Sequence, residues 1–168
     1  MDNKTPQIVL FSDAVSPGLG RYAGAYRIAT ELRDNGYTVQ VIDFYTNFTV
    51  DQLTKIIHKF INESTLFVGF STTLTSIMPG GGFYDSEPPE QLASYPPIQA
   101  ESGRGYPFGR PDYIYMLETI KEVAPNTKIV LGGKNAGKVA SHIHIAPFID
   151  YVVIGQGETS VIEIAREI

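Results

Sequence analysis

Short, almost uninterrupted apolar runs alternate with segments of helical periodicity along the sequence, and this alternation restricts the possible folds more than any other property of the chain. The segments 7–12, 38–44, 66–71, 128–131 and 151–154 read as strands. Their nearly continuous apolar character predicts burial on both faces, as in a parallel sheet covered by helices on each side. Within 20–35, Tyr22, Ala23, Tyr26, Ile28, Ala29 and Leu32 recur at helical spacing, and Asn35-Gly36 supplies a stop. Further helices are expected over 50–61, opened by Thr49 or Asp51, and over 111–123, 136–145 and 158–168. Five strand–helix units predict an α/β, doubly wound parallel sheet of flavodoxin-like (Rossmann-like) type, and this size favours the order 2-1-3-4-5. The 168 residues, 43% of them hydrophobic, suffice for one domain with a substantial core, spanning 1–168, and not for a second.

One segment breaks the rhythm. After the third strand, 76–110 is a long loop holding Met78-Pro79-Gly80-Gly81-Gly82, Pro88-Pro89, Pro96-Pro97 and Gly103-Arg104-Gly105, with Phe83, Tyr84, Tyr95, Tyr106 and Phe108 among them. Connections of this length are functional flaps, binding loops or disordered segments. The aromatic content favours a structured flap, since prolines lower the entropy lost on ordering and aromatic rings offer contact surface.

Composition removes several classes of function. Thirteen Lys and Arg against eighteen Asp and Glu give a net charge of −5, and no basic cluster offers a phosphate-neutralising surface, so nucleic acid is not an expected partner. The absence of cysteine excludes disulfides, thiolate metal sites and a cysteine-held iron–sulfur cluster within this sequence. The first residues lack an apolar signal core, and no run reaches the roughly 18 apolar residues of a membrane span, so a cytoplasmic chain without a membrane partner is expected.

The last two strands each deliver glycines at their C-terminal tips, Gly132-Gly133 and then Gly155-Gln156-Gly157-Glu158. An open parallel sheet places its ligand at that edge, and glycines allow the backbone to approach the ligand closely. The third strand ends in a hydroxyl-rich rim, Ser71-Thr72-Thr73-Leu74-Thr75-Ser76.

Three stretches together resemble a known family. The run Arg21 to Asp43, the tip Ile129-Val130-Leu131-Gly132-Gly133 and the segment Asp150 to Glu158 are similar to the cobalamin-binding domain that precedes the catalytic barrel in B12-dependent radical SAM enzymes. The resemblance covers 7–75 and 110–168 and leaves out the aromatic flap. It implies that Ser71, Thr72, Thr73 and Thr75 bind the nucleotide tail and corrin amides, with Leu74 as apolar support. It also implies that Gly132, Gly133, Lys134, Gly155 and Gly157 line the tail's slot, and that Glu158 or Gln156 takes a tail hydroxyl. Cobalamin-binding domains of the methionine-synthase kind carry D-x-H-x-x-G, whose histidine ligates cobalt. Here Asp13-Ala14-Val15-Ser16-Pro17-Gly18 places Val15 at that position, so cobalamin would be bound base-off with no protein imidazole on cobalt and no metal ligand from the chain. The C-x3-C-x2-C motif of radical SAM chemistry is absent. By resemblance, S-adenosylmethionine and a 4Fe-4S cluster belong to a catalytic domain, in cis or in trans, and the associated activity is a methyltransferase. The sequence stops inside a helical pattern, and a fragment whose barrel follows Ile168 is the expectation, with no catalytic residue in this chain. Gly133→Val is expected to block cobalamin binding while leaving the fold intact.

Competing readings fit less of the sequence. Gly132 to Val139 matches G-x-x-x-x-G-K, but Val139 replaces the hydroxyl that a phosphate loop uses to hold magnesium. Asp43 stands where a dinucleotide fold places its ribose acid, yet 13–20 lacks G-x-G-x-x-G. A stand-alone flavodoxin-like module, a cobalamin carrier or sensor or a flavin binder, is the alternative. For flavin, Ser12, Ser16, Gly18 and Gly20 supply small and polar groups in the first loop without a clear phosphate cradle. His142 and His144 are two apart on an expected helix and point in different directions, and His58 is isolated; all three read as surface or half-buried residues.

Overall fold

The computed structural model describes residues 5–12, 23–43, 45, 48–71, 111–134, 136–140 and 146–168. The flap 76–110 lies outside the described residues, as do Val15, Gly18, Thr72, Thr73, Leu74, Thr75, His142 and His144.

The elements run β1 (Ile8–Ser12), α1 (Ala23–Asp34), β2 (Val39–Asp43), α2 (Val50–Phe60), β3 (Phe67–Ser71), α3 (Pro111–Val123), β4 (Lys128–Gly132), α4 (Ala136–Ala140), β5 (Tyr151–Val153) and α5 (Glu158–Glu167), with a short 3-10 turn at Ala146–Phe148. The five strands form one sheet in the order β2-β1-β3-β4-β5, every pair parallel. This is the flavodoxin-like arrangement expected from the sequence. β4 extends one residue further than expected, to Gly132, whereas β5 stops one residue earlier, at Val153, and leaves the Ile154 side chain 80% exposed. Of the helix expected over 136–145, Ala136–Ala140 is described.

Local chemistry sets the helix ends. Thr49 opens α2 with a full capping box: its hydroxyl accepts from the Gln52 N–H while the Gln52 side chain accepts from the Thr49 N–H. Gly36, at φ 91°, closes α1; the Gly36 N–H donates to the Arg33 carbonyl and the Tyr37 N–H to the Leu32 carbonyl. Those two bonds satisfy carbonyls of the last helical turn, and the left-handed residue between them favours glycine.

Alternation along the strands divides the core in two. Ile8, Leu10, Phe67, Val130 and Val153 face α1 and α5, packing with Ala29, Leu32, Val161, Ile162 and Ala165. Val9, Phe11, Val68, Phe70, Ile129 and Leu131 face the other way, toward Leu53 and Ile57 of α2 and Met116, Leu117 and Ile120 of α3. At the centre of β3, Gly69 carries no side chain because a Cβ there would stand 2.7 Å from Leu10 Cδ2.

The end of the sheet where the strands begin is tied by polar groups. Asp150 accepts from the Ile129 N–H at 2.9 Å and pairs with Lys121 and Lys128, each at 3.2 Å. Burial opposes ionisation of this carboxyl, but the Ile129 N–H and the two ammonium groups outweigh it and hold its pKa below the ordinary 3.8. Thr127 Oγ1 donates to the Thr65 carbonyl at 2.7 Å, linking the entries of β4 and β3.

Candidate functional site

The strand order reverses at β1: the chain steps outward to β2, then returns across β1 to β3. Ligands of open α/β sheets bind beyond the carboxyl ends of the strands at such a switch point. Here it is flanked by Ser12, the last residue of β1, and Ser71, the last residue of β3.

Register places these two serines in a longer row. Ser12 pairs with Asp43, and Ser71 with Gly132, which in turn pairs with Val153. Phe11 pairs with Phe70 one step earlier, so Ser12 and Ser71 are successive positions on neighbouring strands. All five row members share the face turned toward α1 and α5, because each is two residues beyond a neighbour on that face. The row Asp43–Ser12–Ser71–Gly132 is therefore small and polar, set directly above the apolar core. Ser12 is buried, and the Tyr26 hydroxyl of α1 donates to Asp43 Oδ2.

At Gly132 an added Cβ would meet nothing within 4 Å. The next residue, Gly133, has φ 103°, and its carbonyl accepts from the Ala136 N–H at 3.1 Å, turning the chain from β4 into α4. Only glycine takes that backbone conformation without strain. The expectation that Gly133→Val spares the fold therefore does not suit this geometry: valine would strain the turn itself, and Gly132 is the cleaner position to probe. Gly155, after β5, also has a positive φ, 90°. Gly157 precedes α5 without a side-chain cap, and a Cβ there would lie 3.1 Å from Ile28 Cδ1 and 3.5 Å from Val153 Cγ1. Its smallness thus lets the start of α5 close against α1.

The remaining expected residues lie further out. Lys134 is exposed. Gln156 and Glu158 line a solvent-facing groove of about 400 Å³ between α1 and α5, together with Arg27, Glu31 and Thr159. Glu158 Oε1 is 2.9 Å from Arg27 Nη2, whose side chain is 72% exposed, so water screens the pair. Ser71 and Gly132 thus stand side by side at the strand tips, with Gly133 next in the chain, while Gln156 and Glu158 line the groove between α1 and α5. His58 is exposed on the last turn of α2, and among the described residues no group of His, Asp or Glu could hold a metal ion.

Two members of the row, Ser12 and Asp43, fall outside the residue set that the family resemblance supplied. Their signal was present as a period of two: Ser12 follows Ile8 and Leu10 as Ser71 follows Phe67 and Gly69. What the sequence lacked was the strand register that aligns the ends.

Solved structures carry the same chain trace. The radical S-adenosylmethionine methyltransferase TsrM from Kitasatospora setae, with cobalamin and a [4Fe-4S] cluster bound, superposes with a TM-score of 0.58 at 16% identity, over 96% of this chain and 24% of that one. TsrM with tryptophan substrate and a SAM analog bound gives 0.55 at 19% identity, over 95% and 25%. The chain spans about a quarter of the length of these TsrM chains, and at such identities the likeness establishes the fold. No family model and no curated relative matches the chain. Among the described residues no helix is long and apolar enough to cross a membrane.

Proposed function

We propose that the chain is the cobalamin-binding domain of a B12-dependent radical SAM enzyme, a methyltransferase, and that it holds the cofactor base-off without a histidine on cobalt. The observation that carries this reading is the row of small residues at the strand tips beside the switch point, where Ser71 and Gly132 pair across adjacent strands and a Cβ at Gly132 would meet nothing within 4 Å. A corrin disc is too wide to pass between such strand tips, but its nucleotide tail is a narrow polar arm. A narrow slot lined by glycine and hydroxyl groups suits that arm. The TsrM superposition supports the same reading, because a protein with this chain trace at one part of its length binds cobalamin and a [4Fe-4S] cluster.

In this reading Ser71 supplies a hydrogen-bonding hydroxyl at the slot, and Gly132 leaves the space that the tail occupies. The positive-φ glycines Gly133 and Gly155 supply the backbone turns that follow β4 and β5. By the resemblance, Thr72, Thr73, Leu74 and Thr75 are assigned to the tail and corrin amides and Val15 and Gly18 to the cofactor as well, all of them outside the described residues. When bound, cobalamin would supply methyl-transfer chemistry to the catalytic domain. The cluster and S-adenosylmethionine are assigned to a catalytic domain in cis or in trans, since this sequence has no cysteine to hold iron.

Titration of the purified chain with hydroxocobalamin, followed by absorbance, tests the proposal. Uptake with a base-off spectrum lacking an imidazole ligand is expected, and no uptake at micromolar protein would sink it. An imidazole-ligated spectrum would remove the base-off assignment alone.

A further inference from the structure

Asn35 is the one asparagine of the sequence that is followed by glycine. Such a pair leaves the carboxamide open to attack by the next backbone nitrogen, because glycine places no side chain beside that nitrogen. Here the pair ends α1, and a Cβ on Gly36 would meet nothing within 4 Å.

The folded chain holds both reacting groups in other bonds. The Gly36 N–H donates to the Arg33 carbonyl at 2.9 Å, inside the left-handed turn that closes the helix. Asn35 Nδ2 donates to the Glu31 carbonyl at 3.0 Å, one turn back along α1. Asn35 Oδ1 accepts from Arg166 Nη2 at 3.0 Å, and Arg166 sits in the last turn of α5, 131 positions away in sequence. The first two bonds are local to α1, whereas the third ties the carboxamide to a different helix. Cyclisation needs the side chain released from Glu31 and Arg166 and the Gly36 nitrogen released from Arg33. It therefore runs from a state in which the end of α1 has opened, and openings of that kind at helix ends cost far less than global unfolding.

We propose that Asn35 is a self-modification site, a deamidation site with water as its co-reactant, and that Arg166 is the latch that sets its rate. In the opened state the Gly36 nitrogen attacks Asn35 Cγ, and the new N–Cγ bond closes a five-membered imide. The Cγ–Nδ2 bond breaks, and Nδ2 leaves as ammonia with the proton that the Gly36 nitrogen gives up. Water then opens the ring at either carbonyl, leaving an aspartate or an isoaspartate at position 35. The isoaspartate puts an additional methylene into the main chain, so the capping bonds from the Gly36 and Tyr37 N–H groups lose their spacing. The modified chain thus keeps a record of α5 having left the end of α1. None of this depends on the cobalamin reading.

Incubation of the full chain in mildly alkaline buffer, followed by peptide mapping with mass spectrometry, tests the proposal. Asn35 should convert ahead of every other asparagine, and more slowly in the folded chain than in the same chain held in denaturant. Arg166→Ala should speed conversion in the folded chain roughly two- to tenfold, the weight of one hydrogen bond, and leave the rate in denaturant unchanged. Arg166→Lys keeps a cationic donor and should fall between the two; it stands in should the alanine variant not fold. Ile57→Val, in the core on the opposite face of the sheet, should lower global stability without changing the Asn35 rate. A folded rate in Arg166→Ala equal to or below that of wild type overturns the proposal. So does earlier conversion of another asparagine, or a rate in Ile57→Val that rises with the loss of global stability.

Discussion

The two faces of the sheet meet its carboxyl edge in opposite ways, although the same strands build both. On the α2–α3 face the last inward residues of β1 and β3 are Phe11 and Phe70, stacked at 5.1 Å between ring centroids, with Tyr45 edge-on to both at 5.5 and 6.2 Å. On the α1–α5 face, one residue later, the same strands end in Ser12 and Ser71, beside Gly132. Helix starts differ in the same sense: α2 is sealed by the Thr49 capping box, and α5 begins after Gly157 with no side-chain cap. One face ends in packed aromatic rings and the other in small and polar residues. A single step in strand position thus separates two kinds of strand tip.

Substitutions on the filled face should damage the fold most. Phe70→Ala removes a fully buried ring from the aromatic cluster and should cost about 3–5 kcal/mol in chemical denaturation. A cost near zero would show that the aromatic face is not packed as described. Gly132→Val is the counterpart on the open face. Its Cβ has room, so the unfolding midpoint should move little, while hydroxocobalamin affinity should fall by about tenfold or more as the side chain fills the slot. Tight binding by this variant would place the tail elsewhere.

Two smaller effects sharpen the contrast by touching neither face's lining. The Asp150 carboxylate, at the other end of the sheet, has a folded pKa below its ordinary value. Its ionised form therefore adds stability above pH 3.8, and that contribution disappears as the pH falls through the folded pKa. Asp150→Asn should be less stable than wild type near neutral pH, by about 1–2 kcal/mol. The gap should narrow in strongly acidic buffer and leave corrinoid binding at neutral pH unchanged; a gap independent of pH would contradict the ionic origin. Arg27→Ala should have the least effect, a few tenths of a kcal/mol in thermal unfolding, because its pair with Glu158 is open to water.

The fold was legible because its signals are local. Continuous apolar strands, the Asn35-Gly36 stop and the capping threonine at Thr49 each state their conformation within a few residues. Pro111–Val123 matches its expected bounds, and β2 falls inside its expected range. The site was legible in part. Gly132 and Ser71 announced themselves by residue type at strand tips, and Ser12 entered only for the flavin alternative, because its alignment with Ser71 and Asp43 depends on register between β1, β2 and β3. The difference between Gly132 and Gly133 was invisible for the same reason. One carries the open space and the other the left-handed turn, and adjacent glycines look alike until the backbone is known.

The partnership of α1 with α5 also has a consequence in time. Ala29 and Leu32 of α1 share their core cluster with Val161, Ile162, Ile164 and Ala165 of α5, so during synthesis α1 waits for α5 before its apolar side is covered. At ordinary synthesis rates of about 5–20 residues per second, that wait is on the order of ten seconds. The face that α1 and α5 build against the strands is therefore complete only after translation has passed the final turn of α5.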